Sequence, residues 1–175
     1  MEKWDLYTKN REKTGRQHMR GEKLPDGFYH LVVHVWICNA KGEYLISQRA
    51  ANRPIFPLMW ECVGGSVLMG ESSIEGAIRE VKEEVGLDVR PEDGKLLFSK
   101  IRDGEIEERY AGFNDIVDVW LFAYDGELNL QAATTDEVAV CQWMTVPEIR
   151  ALYEQGKLVP SLDYFFDAVE RERIP

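Results

Sequence analysis

Residues Gly65–Leu87 read GSVLMGESSIEGAIREVKEEVGL and combine a clear helix signal with a dense acidic cluster. Ser72, followed three positions later by Glu75, has the spacing of a capping box at a helix start. Gly86 stands where helices commonly end in a left-handed cap. Together these signals predict a helix from Ser73 to Val85.

The two faces of this helix differ in chemistry. At about 100° per residue, one stripe facing the core is apolar and is formed by Ile74, Ala77, Ile78, Val81 and Val85. Glu80, Glu83 and Glu84 share another face, because side chains three and four positions apart lie together on a helix. Their charges repel one another, and the helix dipole disfavours negative charge near the C-terminal end. We therefore expect a counter-charge at this face.

A divalent cation is one such counter-charge. Mg²⁺ prefers oxygen ligands and is commonly shared between one or two carboxylates and the phosphates of a substrate. Arg79 lies four positions before Glu83 and can fix one carboxylate with its guanidinium group while the others bind metal. Taken alone, the glutamates fit a solvated charged helix face at least as well, so the spacing over the whole stretch decides between the two.

That spacing resembles the Nudix box, GX5EX7REUXEEXGU with U an aliphatic residue. Every specified position is filled, by Gly65, Glu71, Arg79, Glu80, Val81, Glu83, Glu84, Gly86 and Leu87. The predicted strand order from Phe28 to Met144 is also similar to that family. The resemblance implies a Nudix-type α/β/α sandwich with a mixed β-sheet. It also implies a hydrolase that uses Mg²⁺ or Mn²⁺ to cleave a diphosphate linkage in a nucleoside diphosphate derivative or related organic diphosphate.

The same resemblance implies roles for individual residues. Glu80, Glu83 and Glu84 correspond to the metal ligands, and Glu80 is also a candidate base. Arg79 and Glu71 correspond to residues that orient these carboxylates. The backbone carbonyl of Gly64 is a further expected ligand, and the Gly64-Gly65 pair lets the loop and the substrate approach closely.

Residues outside the box complete the expected site. Nudix enzymes often place another acid on a loop before a late strand, and here Asp136 and Glu137 precede a strand predicted at Val138 to Met144. We expect Glu137 to be the additional metal ligand, with a solvated turn as the alternative. Arg49 and Arg53 flank the loop after the second sheet strand and are expected to contact phosphate.

The rest of the chain predicts one α/β domain over residues 1–175, built from strands and three helices. The further strands are expected at Trp4–Tyr7, Arg16–Met19, Phe28–Cys38, Glu43–Arg49, Trp60–Val63, Lys95–Arg102, Glu107–Phe113 and Ile116–Tyr124. The further helices are expected from Pro147 to near Gly156 and from Ser161 to about Arg173. Residues 1–22 form an N-terminal hairpin extension, expected to serve as an edge hairpin or a homodimer contact.

Composition narrows the class of partner. The chain has 21 lysines and arginines against 31 aspartates and glutamates, a formal charge of −10, which argues against binding nucleic-acid polymers or anionic membranes. Its three cysteines are an odd number and widely spaced, which fits reduced thiols. The N-terminus is charged from Glu2, and no apolar stretch has the length of a membrane span. We expect a cytoplasmic protein that acts on a small diphosphate.

An isomerase is the first alternative. Residues at Tyr29-His30, Gln48-Arg49-Ala50 and Trp60 also resemble isopentenyl-diphosphate isomerases, which bind a divalent metal and act on a diphosphate without cleaving it. His30 matches one metal ligand of that family. Its catalytic cysteine and another metal-binding histidine fall on Gly64 and Ser66 here, and Cys62 reaches the cysteine position only after a shift of two residues.

A non-catalytic nucleotide-sensing module on the same fold is the second alternative. The intact glutamate set and Arg79 argue against it, because a binder has no need to maintain carboxylates that repel one another. The substrate stays open among a nucleoside triphosphate, a nucleotide sugar, a dinucleotide and a prenyl diphosphate.

Overall fold

The computed structural model describes residues 2–104 and 113–175 and has a mixed β-sheet with helices on both faces. The strands are β1 (Lys3–Tyr7), β2 (Lys13–Met19), β3 (His30–Cys38), β4 (Tyr44–Arg49), β5 (Trp60–Glu61), β6 (Val63–Ser66), β7 (Gly94–Asp103), β8 (Asn114–Ala123) and β9 (Val138–Met144). The helices are α1 (Ser73–Val85), α2 (Val146–Glu154) and α3 (Tyr164–Glu170), with 3-10 turns at Pro91–Asp93, Leu130–Ala132 and Pro160–Leu162.

Strand β3 is the centre of the sheet. It runs parallel to β8, from His30 opposite Asp115 to Cys38 opposite Ala123. Its other edge pairs antiparallel with β6 and, at its end, with β4. Strand β7 extends the sheet beyond β8, while β4 pairs with both β5 and β9. Parallel and antiparallel pairs therefore coexist, as expected for a mixed sheet.

Alternate residues of β3 enter two different cores, because successive side chains on a strand point to opposite faces. Val33 and Val35 pack on the face covered by α1, beside Val81. Val32 and Trp36 pack on the face covered by α2 and α3, and the Trp36 ring stacks on Phe165 at 4.0 Å between centroids. Helices therefore cover both faces, which confirms the predicted α/β/α sandwich.

The N-terminal hairpin forms its own two-stranded sheet and packs on the same chain. Tyr7 and Tyr29 exchange backbone hydrogen bonds of 2.8 and 2.9 Å, which join β1 to the start of the central sheet. Arg11 at the hairpin turn binds the buried Asp118 carboxylate on β8 with both terminal guanidinium nitrogens. The hairpin is thus fixed to the domain at its side and at its tip.

Several predicted boundaries are wrong. Strand β2 begins at Lys13 rather than Arg16, because Thr8 N–H closes the turn by donating to the Glu12 carbonyl at 2.9 Å. The expected strand from Trp60 to Val63 is instead two strands, and the Gly64-Gly65 pair lies inside β6 because those glycines pair with β3.

The C-terminal helix is shorter than the predicted 161–173. It is preceded by a 3-10 turn, and beyond Glu170 the chain turns back so that the N–H groups of Arg173 and Ile174 both bond to the Ala168 carbonyl. This turn buries Ile174 in the core. The strand predicted at 107–113 lies outside the described residues apart from Phe113. No helix in the described part of the chain has the length and apolarity of a membrane span.

Candidate active site

Helix α1 has the predicted bounds and both predicted caps. Ser72 N–H donates to Glu75 Oε2 at 2.7 Å, and Glu75 N–H donates back to Ser72 Oγ at 3.5 Å, which completes the capping box. Gly86 adopts a φ of 73° and its N–H donates to the Lys82 carbonyl at 3.1 Å. These local signals fix the helix register and therefore the face that carries the acids.

Arg79 is the hub of that face. Its Nε and Nη2 donate to the two Glu71 carboxylate oxygens at 2.9 and 3.1 Å. Its Nη1 donates to Glu80 Oε1 and Glu83 Oε2, both at 2.8 Å, and Nη2 also donates to the Ser66 carbonyl at 2.8 Å. All five N–H groups of the guanidinium are therefore used. Although burial opposes the charge, the hydrogen bonds to Glu71 and the nearby glutamates raise the pKa of Arg79.

Two carboxyl groups of α1 are held in low dielectric. Glu84 is only 4% exposed and accepts a hydrogen bond from Gly64 N–H at 3.2 Å. Burial, reinforced by the negative charges of Glu61 and Glu80, raises the pKa of Glu84 well above its usual value. Burial also raises the pKa of Glu80 to about 7, although Arg79 acts in the opposite direction. Both groups therefore favour a cation nearby.

The glycine pair on β6 makes room for this arrangement. A methyl group at Gly65 would overlap the carboxylate of Glu80, and one at Gly64 would overlap the carbonyl oxygen of Val33 on β3. The missing side chains let the helix acids lie directly against the strand backbone.

The loop before β9 is bonded to the end of α1. Thr134 N–H and Thr135 N–H both donate to the Glu83 carbonyl at 3.1 Å, and the Thr135 hydroxyl donates to the same oxygen at 3.0 Å. This brings Glu137 to the acids of the helix, where it pairs with Arg53 at 2.6 Å. Arg53 Nε is buried and lacks a hydrogen-bond partner among the described residues.

These side chains line one groove of about 220 Å³, here called the acidic groove. Its glutamates are Glu2, Glu80, Glu83, Glu84 and Glu137. Its arginines are Arg20, Arg53 and Arg79. Five carboxylates against three guanidinium groups leave a formal excess of two negative charges. When its carboxyl groups are ionised, the acidic groove therefore favours an added cation and disfavours a free anion.

The second predicted arginine lies elsewhere. Arg49 binds the Glu61 carboxylate, donates from Nε to the Ile55 carbonyl at 3.0 Å, and lines a neighbouring cavity of about 180 Å³. That cavity also contacts Gly64 and Gly65, so it adjoins the acidic groove across the glycine pair.

The donor atoms suit a hard divalent metal, because glutamate carboxylates are the oxygen ligands that Mg²⁺ and Mn²⁺ prefer. In the described part of the chain, no three His, Cys, Asp or Glu side chains already converge closely enough to hold a metal ion. Arg79 accounts for this arrangement, because it draws Glu80 and Glu83 toward its own guanidinium.

Three features of the site could not be predicted from the sequence. Glu2 and Arg20 come from the N-terminal hairpin, and no local pattern in the sequence links them to α1. Thr135 anchors the Glu137 loop through a backbone carbonyl. Glu61 acts electrostatically on Glu84, and its signal was a charged residue inside the apolar run Trp60–Val63.

The sequence model of the NUDIX domain matches residues 28–168. An uncharacterized Nudix hydrolase of Listeria innocua is 40% identical over 167 residues, covering 95% of this chain and 91% of that protein. An isopentenyl-diphosphate Delta-isomerase of Shigella flexneri is 26% identical over 137 residues, covering 78% and 72%. A Deinococcus radiodurans crystal structure has a TM-score of 0.72 at 21% identity, covering 97% and 98%. The chain therefore belongs to the Nudix hydrolase family.

Proposed function

We propose that the protein is a divalent-metal-dependent hydrolase of a diphosphate linkage in a nucleoside diphosphate derivative or related organic diphosphate. The observation that carries the proposal is the surplus of carboxylates in the acidic groove, where Glu80, Glu83 and Glu84 of one helix meet Glu137. A groove with excess negative charge suits a metal–diphosphate complex far better than a free anion.

The proposed ligands of Mg²⁺ or Mn²⁺ are the side chains of Glu80, Glu83, Glu84 and Glu137 and the backbone carbonyl of Gly64. When bound, the metal neutralises diphosphate oxygens and lowers the pKa of a coordinated water. Glu84 is supported by its burial beside two other glutamates, a situation that an ionised carboxylate tolerates only with a partner cation.

The remaining proposed roles are to position the carboxylates and to take a proton from water. Arg79 and Glu71 hold the carboxylates in place, and Arg79 spans α1 and the Ser66 carbonyl of β6. Oε1 of Glu80 accepts from Arg79, so we assign Oε2 as the oxygen that takes a proton from the attacking water.

Substrate contacts are assigned to two arginines. Arg53 lines the acidic groove beside Glu137, and its guanidinium is proposed to contact a substrate phosphate there. Arg49 lies on the adjoining cavity and is proposed to contact the substrate there.

A substrate panel in Mg²⁺ tests the proposal, scored for released phosphate, pyrophosphate and nucleoside monophosphate. Wild type should cleave at least one diphosphate, and chelation of the metal should abolish cleavage. Glu80→Gln and Glu84→Gln should lower the rate, whereas the exposed Glu92→Gln should not. Absence of cleavage across the panel, or full activity in both active-site variants, would overturn the assignment.

The same panel separates the alternatives. Isopentenyl diphosphate distinguishes isomerisation from hydrolysis by its product. Cys62 lies buried, where desolvation raises the pKa of its thiol well above the usual value. Nucleotide binding without turnover would instead indicate a sensing module.

Two further assignments belong to this proposal. We place the enzyme in the cytoplasm, which cell fractionation tests. We also retain the homodimer expected from the N-terminal hairpin, and light scattering of the full chain tests it.

A further inference from the structure

The N-terminal hairpin forms part of the wall of the acidic groove. Met69 N–H donates to the Lys3 carbonyl at 2.8 Å, and Gly70 N–H donates to Asp5 Oδ2 at 3.0 Å. These bonds attach β1 to the segment that leads directly into α1. They also fix the base of the hairpin, so that Glu2 and Arg20 line the groove with the helix acids.

The three arginines of the acidic groove differ in how firmly other protein groups hold them. Arg79 uses all five of its N–H groups inside the protein. Arg53 is largely buried and pairs with Glu137. Arg20, directly after β2, pairs at 2.6 Å with Glu2, directly before β1, and the two side chains are 51% and 44% exposed.

An ion pair so exposed contributes little to stability, because water screens both charges. A phosphate offers the guanidinium a stronger, two-oxygen partner than a lone surface carboxylate. Exchange of Glu2 for a phosphate at Arg20 is therefore favourable, whereas withdrawing Arg79 would break five bonds.

We propose that Arg20 binds a phosphate of the substrate and that the phosphate replaces Glu2 as the partner of the Arg20 guanidinium. This inference rests on the proposed function and adds a binding residue from outside the Nudix box. Arg20 is here a specificity-determining residue, and Glu2 competes with the substrate for it.

Two substitutions that break the same ion pair test the proposal. Arg20→Gln removes the phosphate contact, whereas Glu2→Gln removes the competitor. A merely structural ion pair would make both variants behave alike. Phosphate binding by Arg20 instead predicts opposite effects on affinity.

The probe is methylenediphosphonate, a diphosphate analogue with carbon at the bridge, titrated calorimetrically into the full chain in Mg²⁺. Arg20→Gln should weaken binding about tenfold, and Glu2→Gln should tighten it about twofold. Arg16→Gln is the matched control, because Arg16 lies on β2, four positions before Arg20, but packs over the Phe28 ring at 4.7 Å. Its affinity should equal that of wild type.

Catalysis gives a second readout with the best substrate of the panel. Arg20→Gln should raise KM with little change in kcat, since Arg20 is proposed to bind the substrate and not to hold the metal or take the proton. Wild-type affinity in Arg20→Gln, equal weakening in both variants, or no binding of the probe by wild type would overturn the inference. If wild type cleaves diphosphates while Arg20→Gln keeps its KM, only the role of Arg20 fails.

Discussion

Two arginines in this domain differ in the charge that surrounds them: one is matched by a single carboxylate and the other faces several. Among the described residues, Arg102 on β7 pairs with Asp115 on β8 through two hydrogen bonds of 2.7 Å, and their side chains are 6% and 1% exposed. Arg79 on α1 faces three carboxylates, those of Glu71, Glu80 and Glu83, at the edge of an open groove. A buried balanced pair is complete within the fold. A surplus of carboxylates beside solvent leaves negative charge that the protein itself does not neutralise, which supports the proposed metal site.

Breaking the balanced pair of Arg102 and Asp115 should lower the stability of the fold. Asp115→Asn leaves the Arg102 guanidinium buried without its counter-charge, which we expect to lower the free energy of unfolding by about 3–5 kcal/mol. Urea denaturation measures this. The exposed pair of Arg90 and Asp93 is the control, and Asp93→Asn should leave the midpoint unchanged. Equal midpoints for the two variants would remove the contrast between buried and exposed pairs.

Removing the Glu84 carboxylate, which lies beside the Arg79 cluster, should lower activity rather than stability. Glu84→Gln removes a proposed metal ligand, so we expect the rate in Mg²⁺ to fall about 100-fold. The same change removes a buried carboxylate while keeping an acceptor for Gly64 N–H, so the metal-free melting temperature should stay level or rise. Calorimetry with a chelator present measures this. A large drop in melting temperature would place Glu84 with the structural pairs.

The metal-free protein should also lose stability as pH rises. The pKa of Glu80 is raised from 4.5 to about 7, chiefly by burial, so the folded state holds this proton more tightly than the unfolded state does. Its contribution is complete below pH 4.5 and is lost as pH rises through 7, by on the order of 2 kcal/mol.

Denaturation in chelator from pH 4.5 to 8 measures that slope. Glu80→Gln should reduce it, while Glu84, whose pKa burial also raises, keeps a residual slope. Mg²⁺ should stabilise wild type more at pH 8 than at pH 5, because the proposed metal binds the ionised carboxylates. A slope that Glu80→Gln leaves unchanged would assign the titration to other groups.

The smallest expected loss of rate comes from filling the space at Gly65 beside the Glu80 carboxylate. Gly65→Ala puts a methyl group where the Glu80 carboxylate lies, so we expect about a tenfold loss of rate as Glu80 moves. Gly42→Ala is the control, because Gly42 has a φ of 74° and nothing within 4 Å of an added methyl group. It should cost some stability and no activity. Full activity in Gly65→Ala would show that the position of Glu80 is not critical.

The helix could be predicted from sequence because its determinants are local. Ser72, Glu75 and Gly86 fix the ends, and the apolar period fixes the buried face. The acids therefore had to share the other face. Glu137 could be anticipated from family resemblance, and it does line the acidic groove.

The remaining parts of the site depend on distant contacts. Gly64 and Gly65 are poor strand formers, yet pairing with β3 places them in β6, because tertiary context overrides propensity. Arg20 reaches the acidic groove only through bonds such as that between Lys3 and Met69, which no spacing in the sequence encodes. Arg49 pairs with Glu61, because both lie on paired strands, and its contact with a phosphate stays a prediction.

The parallel pairing of β3 with β8 has a consequence for biosynthesis. His30 pairs with Asp115, 85 positions later (115 − 30), and closing so long a loop carries an entropic cost that slows folding. Glu137 follows β8 still later in the chain. The ribosome must therefore release most of the domain before the acidic groove can form. The acids of α1 are then present in the nascent chain for many seconds before the residues that pack beside them have been synthesised.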